Sequence, residues 1–158
     1  MRLFRSGGLL GIAEETLEFA LEAARETHPD EYMGFLRAEN ARRLGLDRSG
    51  RVITDVLVIP GTSSNPVSAT VDSNMVPNDS RTVGSVHSHP NGVLQPSDAD
   101  LRTFRSGQVH LILGAPYGRR DWRAFDREGD RTTLDVIDVP LQDPEEFFDF
   151  TEEDLDLE

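Results

Sequence analysis

Residues 87–100 read His-Ser-His-Pro-Asn-Gly-Val-Leu-Gln-Pro-Ser-Asp-Ala-Asp, and this stretch decides the fold and the site. The segment Thr82 to His89 has the pattern of an extended strand. His87 and His89 are two residues apart, so on a strand both imidazoles point to the same face of a sheet. The sequence therefore predicts a pair of imidazoles at the end of one strand.

A short helix is predicted after the turn that follows the histidines. Ser97 is a typical N-cap, and the helix should run to about Arg105 with Asp100 in its first turn. Two imidazoles and one carboxylate suit Zn²⁺ and leave a fourth position for water, as a catalytic site requires. The sequence predicts one Zn²⁺ per chain, held by His87, His89 and Asp100.

Zinc hydrolysis also needs a proton acceptor outside the metal's own ligands and a donor for the oxyanion. Glu31 is the candidate acceptor, on a predicted strand from Glu31 to Leu36 that should lie beside the histidine strand. Ser97, one helical turn before Asp100, is placed to donate to the oxyanion.

The remaining pattern predicts an α/β fold with a mixed sheet flanked by helices. A helix is expected at residues 12–27, and further strands at Val52 to Ile59, Val109 to Leu113, Trp122 to Phe125 and Thr132 to Val139. We expect one domain at residues 1–142, a functional loop at 60–80, and an acidic, flexible tail at 143–158.

The composition limits the possible binding partners and the kind of cell in which the protein works. The 158-residue chain has no cysteine, and its 16 basic residues are all arginine, with a net charge of −13. An acidic, lysine-free chain is typical of a protein from a very salty cytosol, such as that of a halophilic archaeon. A nucleic-acid partner is disfavoured because no basic stripe is present.

The N-terminal stretch has no pattern of a signal peptide. Its apolar run is short and ends at Glu14 and Glu15, and no apolar run is long enough to span a bilayer. We therefore expect a cytoplasmic protein with no membrane partner; the sequence leaves the oligomeric state open.

Residues 87–100 resemble the JAMM (MPN+) metalloprotease signature, His-x-His-Pro followed by Ser-x-x-Asp. Upstream, residues 29–36 read Pro-Asp-Glu-Tyr-Met-Gly-Phe-Leu and fit the family's glutamate segment. The resemblance implies the cytidine-deaminase-like α/β fold of the JAB1/MPN/Mov34 domain. It also implies zinc ligands at His87, His89 and Asp100, acid/base catalysis by Glu31 and oxyanion donation by Ser97.

For activity, the resemblance implies hydrolysis of the isopeptide bond between a ubiquitin-like modifier and a lysine. The lysine-free composition points to the small archaeal modifier proteins and their conjugates as partners, and thus to a desampylase-like enzyme. The chain leaves no room for a second insertion before the strand at Val109, so fine linkage selectivity is not expected. The 60–80 loop is the expected flap over a substrate tail.

Other interpretations of the same residues also have to be weighed. Taken alone, a His-x-His pair is often structural, and Ser97 to Asp100 is an ordinary capping sequence. The same zinc site could instead trim C-terminal extensions of sulfur-carrier proteins or cleave small peptides. RadC-like proteins share a similar run, but the acidic composition and the Glu31 context argue against that branch. Many MPN subunits are non-catalytic scaffolds, but those have usually lost ligands, and here the set is complete. His28 and His110 are predicted to be structural or solvated.

Overall fold

The computed structural model describes residues 8–58 and 80–141. The predicted acidic tail and nearly all of the predicted 60–80 flap lie outside the described residues. The elements in chain order are β1 (Leu9–Ala13), α1 (Glu14–Thr27), β2 (Met33–Asn40), a short 3₁₀-helix (Ala41–Leu44), β3 (Arg51–Val58), β4 (Thr82–His89), α2 (Asp98–Phe104), β5 (Val109–Gly114), β6 (Trp122–Phe125), β7 (Arg131–Thr132) and β8 (Asp135–Ile137).

The eight strands form one mixed sheet in the order β7-β6-β5-β4-β2-β3-β1-β8. The pairs β4–β5, β1–β3 and β1–β8 are parallel, and the other pairs are antiparallel. Helices cover both faces: α1 packs with Leu111 and Leu113, whereas Phe104 of α2 packs with Ile112. Successive residues of β5 therefore pack into the two hydrophobic cores on opposite faces of the sheet. The predicted α/β fold is confirmed.

The sheet curls because its two edge strands are joined by only two residues. β7 ends at Thr132 and β8 begins at Asp135, so three Cα–Cα steps, roughly 11 Å, must reach from one edge to the other. A flat sheet of this many strands would be roughly 34 Å wide. The predicted single strand Thr132 to Val139 is therefore wrong, since its two parts pair at opposite edges.

The first helix begins later than residue 12. Ile12 is in β1, where it pairs with Ile53 of β3 and Val136 of β8. Ala13 is still extended, with φ −64° and ψ 138°, and the helix begins at Glu14. The buried stripe on α1 is formed by Thr16, Leu17, Ala20, Leu21 and Ala24.

The predicted bounds of β4 and β6 are confirmed, and β5 ends one residue later than predicted. Strand β3 begins one residue earlier than predicted, and its predicted last residue, Ile59, lies outside the described residues. No helix within the described ranges, 8–58 and 80–141, is both long and apolar enough to cross a membrane.

Gly11 tests the pairing of β1 with β8. A Cβ at this position would lie 2.3 Å from the carbonyl oxygen of Asp135, so Gly11→Ala must push β1 and β8 apart. We expect the free energy of unfolding to fall by about 2 kcal/mol in denaturant titrations in molar salt. Val136→Thr, at a position 45% exposed, is the control and should change stability by less than about 0.5 kcal/mol. An unaltered stability of Gly11→Ala would contradict this close approach.

Candidate metal centre

Strand β4 places two imidazoles at one end of the sheet. It lies between β5 and β2, so its backbone is hydrogen-bonded on both sides. His87 and His89 both point to the α2 face, where the His87 ring lies 6.4 Å from the ring of Phe104. His87 is buried and His89 is partly open, with 4% and 15% of their side chains exposed.

The start of α2 supplies the carboxylate. The Ser97 hydroxyl accepts a hydrogen bond from the Asp100 N–H at 3.1 Å, and Asp100 Oδ2 accepts one from the Ser97 N–H at 2.7 Å. This is a capping box, with aspartate where glutamate or glutamine is usual. The reciprocal bonds hold the Asp100 side chain in one orientation, turned to the histidines.

Three candidate ligand atoms converge on one point. His87 Nε2 lies 3.2 Å from His89 Nε2 and 3.0 Å from Asp100 Oδ1, and His89 Nε2 lies 3.1 Å from Asp100 Oδ2. A tetrahedral zinc site with ordinary Zn–N bonds has ligand–ligand distances of about 3.3 Å. The donor set and its spacing therefore fit Zn²⁺ with little movement. Among the described residues, His87, His89 and Asp100 form the cluster whose ligand atoms lie close enough together to hold a metal ion.

The loop after β4 fixes the His89 ring. His89 Nδ1 donates to the carbonyl oxygen of Val93 at 2.7 Å, which leaves Nε2 to face the metal position. Gly92 N–H bonds back to the His89 carbonyl at 2.9 Å, and Gly92 has φ +81°, a region that favours glycine. A backbone acceptor on the second ring nitrogen is typical of a ligating histidine.

The electrostatics keep Asp100 ionised. Burial alone would raise its pKa, but hydrogen bonds with His87 and His89 outweigh burial and hold the pKa well below its usual range. For His89, burial lowers the pKa, and hydrogen bonds with Asp100 and Val93 more than offset this, so the pKa is raised.

Glu31 lies close to this centre, although not on a strand as predicted. Strand β2 begins at Met33, and Glu31 precedes it, outside any helix or strand. Burial raises the pKa of Glu31; the charges of His87 and His89 act in the opposite direction, which shows that its carboxylate is within their electrostatic reach. A half-buried carboxylate with a raised pKa beside a metal centre suits a proton acceptor.

Ser97 is confirmed as the N-cap of α2 and is exposed. Since its oxygen already accepts the Asp100 N–H, its hydroxyl hydrogen remains to be donated. The side chain therefore lies one helical turn from a ligand with a donor still available, as an oxyanion donor would need.

His110 is structural, as predicted. It is 1% exposed, and its ring stacks on Phe104 at 4.3 Å between centroids. Nε2 donates to the Phe104 carbonyl at 2.8 Å, so Nδ1 accepts from the Ser85 hydroxyl at 2.7 Å. Both ring nitrogens are occupied, and burial lowers the pKa of His110 to about 4.

Sequence reasoning missed Tyr117, whose side chain lies near Glu31. The tyrosine is 2% exposed, and burial raises its pKa; the nearby Ser88 hydroxyl acts in the opposite direction, and the charge of Glu31 adds to the increase. Its hydroxyl lies 2.8 Å from Nδ1 of His28. The two residues are 89 positions apart, so no local pattern in the sequence indicates this contact.

Comparisons with known proteins agree with this geometry. Residues 13–126 match the family model described as prokaryotic homologs of the JAB domain. A probable metalloprotease from Haloferax volcanii is 65% identical over 158 residues, covering 100% of this chain and 98% of that protein.

Two solved structures share the fold. A JAB1/MPN domain protein from Archaeoglobus fulgidus has a TM-score of 0.61 and 29% identity, over 81% of this chain and 99% of that one. A structure described as JAMM, a metalloprotease-like zinc site in the proteasome and signalosome, has a TM-score of 0.59 and 27% identity, over 82% and 99% of the two chains. Both confirm the predicted JAB1/MPN architecture.

Asp100 is the residue to change when testing the metal. Asp100→Asn keeps an acceptor for the Ser97 N–H but removes the negative charge between the imidazoles, so we expect it to lose stoichiometric zinc. Elemental analysis after dialysis against a mild chelator should give one zinc per wild-type chain and much less for the variant. Asp98→Asn, exposed in the same helical turn, is the matched control and should keep its zinc. Equal zinc in both variants would contradict the ligand set.

His110 should make stability depend on pH. Because its folded pKa is below the ordinary value of 6.5, the unfolded chain binds more protons between these two values, and stability falls as the pH falls. From pH 7.5 to 5 we expect a loss of about 2 kcal/mol from this group. Denaturant titrations of metal-free protein in molar salt measure it, with His110→Gln as the comparison. Parallel pH curves for the two proteins would exclude this role.

Proposed function

The chain belongs to the family of prokaryotic homologs of the JAB domain, and we propose that this JAMM-type zinc metallopeptidase is an isopeptidase that releases ubiquitin-like modifiers from lysine side chains. The observation that carries the proposal is the half-buried Glu31 carboxylate beside the convergent His87–His89–Asp100 group. Three ligands with a separate proton acceptor are typical of hydrolytic zinc sites and not of structural ones.

The ligand atoms indicate where the metal ion would bind and what chemistry it would supply. His87 Nε2, His89 Nε2 and one Asp100 oxygen would hold the ion. When bound, zinc supplies a Lewis acid that polarises a carbonyl and lowers the pKa of water. The capping box and the Val93 carbonyl keep two of the three ligands oriented, so the site is organised before substrate binds.

Glu31 would move the proton that the reaction requires. Its carboxylate accepts a proton from the attacking water as the oxygen adds to the modifier's terminal carbonyl. The same carboxyl then gives that proton to the lysine nitrogen as the C–N bond breaks. The products are a carboxylic acid and an amine, which become a carboxylate and an ammonium group when the acid's proton passes to the amine. The Ser97 hydroxyl donates to the carbonyl oxygen while negative charge develops there.

Three observations favour a conjugate over a small peptide. Ser97 and Val93 border the centre and are exposed, with Val93 47% open to solvent, so a macromolecule can reach the site. The chain contains no lysine, and an enzyme without lysine cannot itself carry an isopeptide-linked modifier. The relative from Haloferax volcanii is consistent with cytoplasmic small archaeal modifier proteins as the partners.

Glu31→Gln tests the mechanism. The substitution keeps size and hydrogen bonding but removes the proton acceptor, so we expect kcat to fall by about 10²–10⁴-fold while zinc content is unchanged. Activity is followed on a lysine-linked ubiquitin-like conjugate in molar salt. Glu26→Gln, exposed near the end of α1, is the matched control and should leave kcat unchanged.

The substrate class is tested by offering the same modifier in two linkages, through a lysine side chain and through the α-amine of a linear fusion. Preferential cleavage of the side-chain linkage supports the isopeptidase. Cleavage confined to linear extensions would instead indicate a peptidase that trims sulfur-carrier proteins. Zinc-loaded wild type that cleaves neither would leave a scaffold function and overturn the proposal.

A further inference from the structure

Ser88 lies between the two histidine ligands on β4, but its side chain points to the opposite face of the sheet. Strand alternation turns its side chain to the α1 face, and the residue is 0% exposed. It therefore contacts neither the metal position nor solvent. Its hydroxyl has one hydrogen to give and can accept from others, so its partners in this core define what it does.

The first partner is the backbone of Tyr32. In register with Met33 and His87, Tyr32 stands opposite Ser88, where a regular antiparallel pair would exchange two backbone hydrogen bonds. One of them is present, from Ser88 N–H to the Tyr32 carbonyl at 2.9 Å. The other is replaced, because the Tyr32 N–H donates to the Ser88 hydroxyl oxygen at 2.8 Å.

This replacement acts directly on Glu31. The Tyr32 nitrogen belongs to the peptide unit that begins at the Glu31 carbonyl carbon, and this unit is planar. Its hydrogen bond to the Ser88 side chain therefore fixes the orientation of the peptide plane that follows the Cα atom of Glu31. Strand β2 starts only at Met33, so Glu31 lies just before the regular strand, next to the point where the serine hydroxyl replaces a backbone acceptor.

The second neighbour is Tyr117, which is 2% exposed and close enough to Ser88 for the Ser88 hydroxyl to lower its pKa. The Tyr117 hydroxyl is hydrogen-bonded to Nδ1 of His28 at 2.8 Å. Tyr117 is therefore anchored at its hydroxyl to the residue that follows α1.

Tyr117 is itself held in a costly conformation. Its φ is +66°, a left-handed region that a tyrosine adopts only where its surroundings enforce it. The guanidinium of Arg25 donates to its carbonyl oxygen at 2.9 Å. The backbone is thus fixed by α1, and the buried ring is directed to Ser88.

We propose that Ser88 and Tyr117 are positioning residues, which hold the Glu31 peptide so that its carboxylate faces the metal centre. The inference rests on the proposed role of Glu31 as proton acceptor and extends it to the opposite face of the sheet. Neither residue touches the substrate or the metal; both act through the backbone of Tyr32.

The test uses three hydroxyl deletions in the full chain: Ser88→Ala, Tyr117→Phe and Ser85→Ala. Ser85 is the matched control because it lies on the same strand and is 6% exposed, but its hydroxyl bonds to His110. For Ser88→Ala we expect kcat on the lysine-linked conjugate to fall roughly 10- to 100-fold, with unchanged KM and zinc affinity. Tyr117→Phe should show a smaller fall in kcat, and Ser85→Ala none.

Amide hydrogen exchange measured by NMR gives a second result that does not depend on activity. Losing its acceptor should make the Tyr32 N–H exchange roughly tenfold faster in Ser88→Ala, while Ser85→Ala leaves it unchanged. Weakened zinc binding in Ser88→Ala would show a general distortion of β4 and overturn the inference. So would normal kcat in Ser88→Ala when Glu31→Gln is inactive. An active Glu31→Gln, in contrast, would refute the proposed function itself.

Discussion

The carboxylate of Asp100 serves the helix and the metal centre at the same time. Its Oδ2 accepts the Ser97 N–H at 2.7 Å and lies 3.1 Å from His89 Nε2. The first turn of α2 and the position of the ligand are therefore one structural unit. Since the histidines come from a strand paired on both sides, a single capping interaction determines whether the three ligands meet.

The two carboxylates of the site are tuned in opposite directions. Hydrogen bonds from the imidazoles keep the pKa of Asp100 below its usual range despite burial. Glu31 has no such partners, and burial raises its pKa. Environments that shift the pKa values of two carboxyl groups in opposite directions also give the groups different roles. Asp100 remains a charged ligand, and Glu31 can take up and release a proton.

The metal centre could be predicted from sequence because its geometry is local. Strand alternation and an N-cap placed His87, His89 and Asp100 without any knowledge of the fold. Glu31 was identified from its sequence context, but its position before β2 was not predicted. The regular strand begins only after Tyr32, whose N–H donates to the Ser88 side chain instead of to a backbone carbonyl. The spacing of apolar residues in a sequence does not indicate such a replacement of a backbone acceptor by a side chain.

The errors in the fold have a similar origin. The strand predicted from Thr132 to Val139 has a uniform extended pattern, and only the curl of the sheet shows that its halves belong to opposite edges. Likewise, Ile12 suits a helix start by spacing, yet pairing with two distant strands makes it extended. In both segments, hydrogen bonding to strands that are distant in the sequence determines the local structure. Such pairing cannot be read from a single sequence.

The alternation along β4 sets limits on how this protein can change over evolutionary time. Odd-numbered positions from Ser85 to His89 face α2 and the metal, and even-numbered ones face α1. Inserting or deleting one residue within the strand would exchange the two sets and remove ligands and their support together. We therefore expect variation in length to accumulate in the connecting loops, with β4 accepting substitutions only.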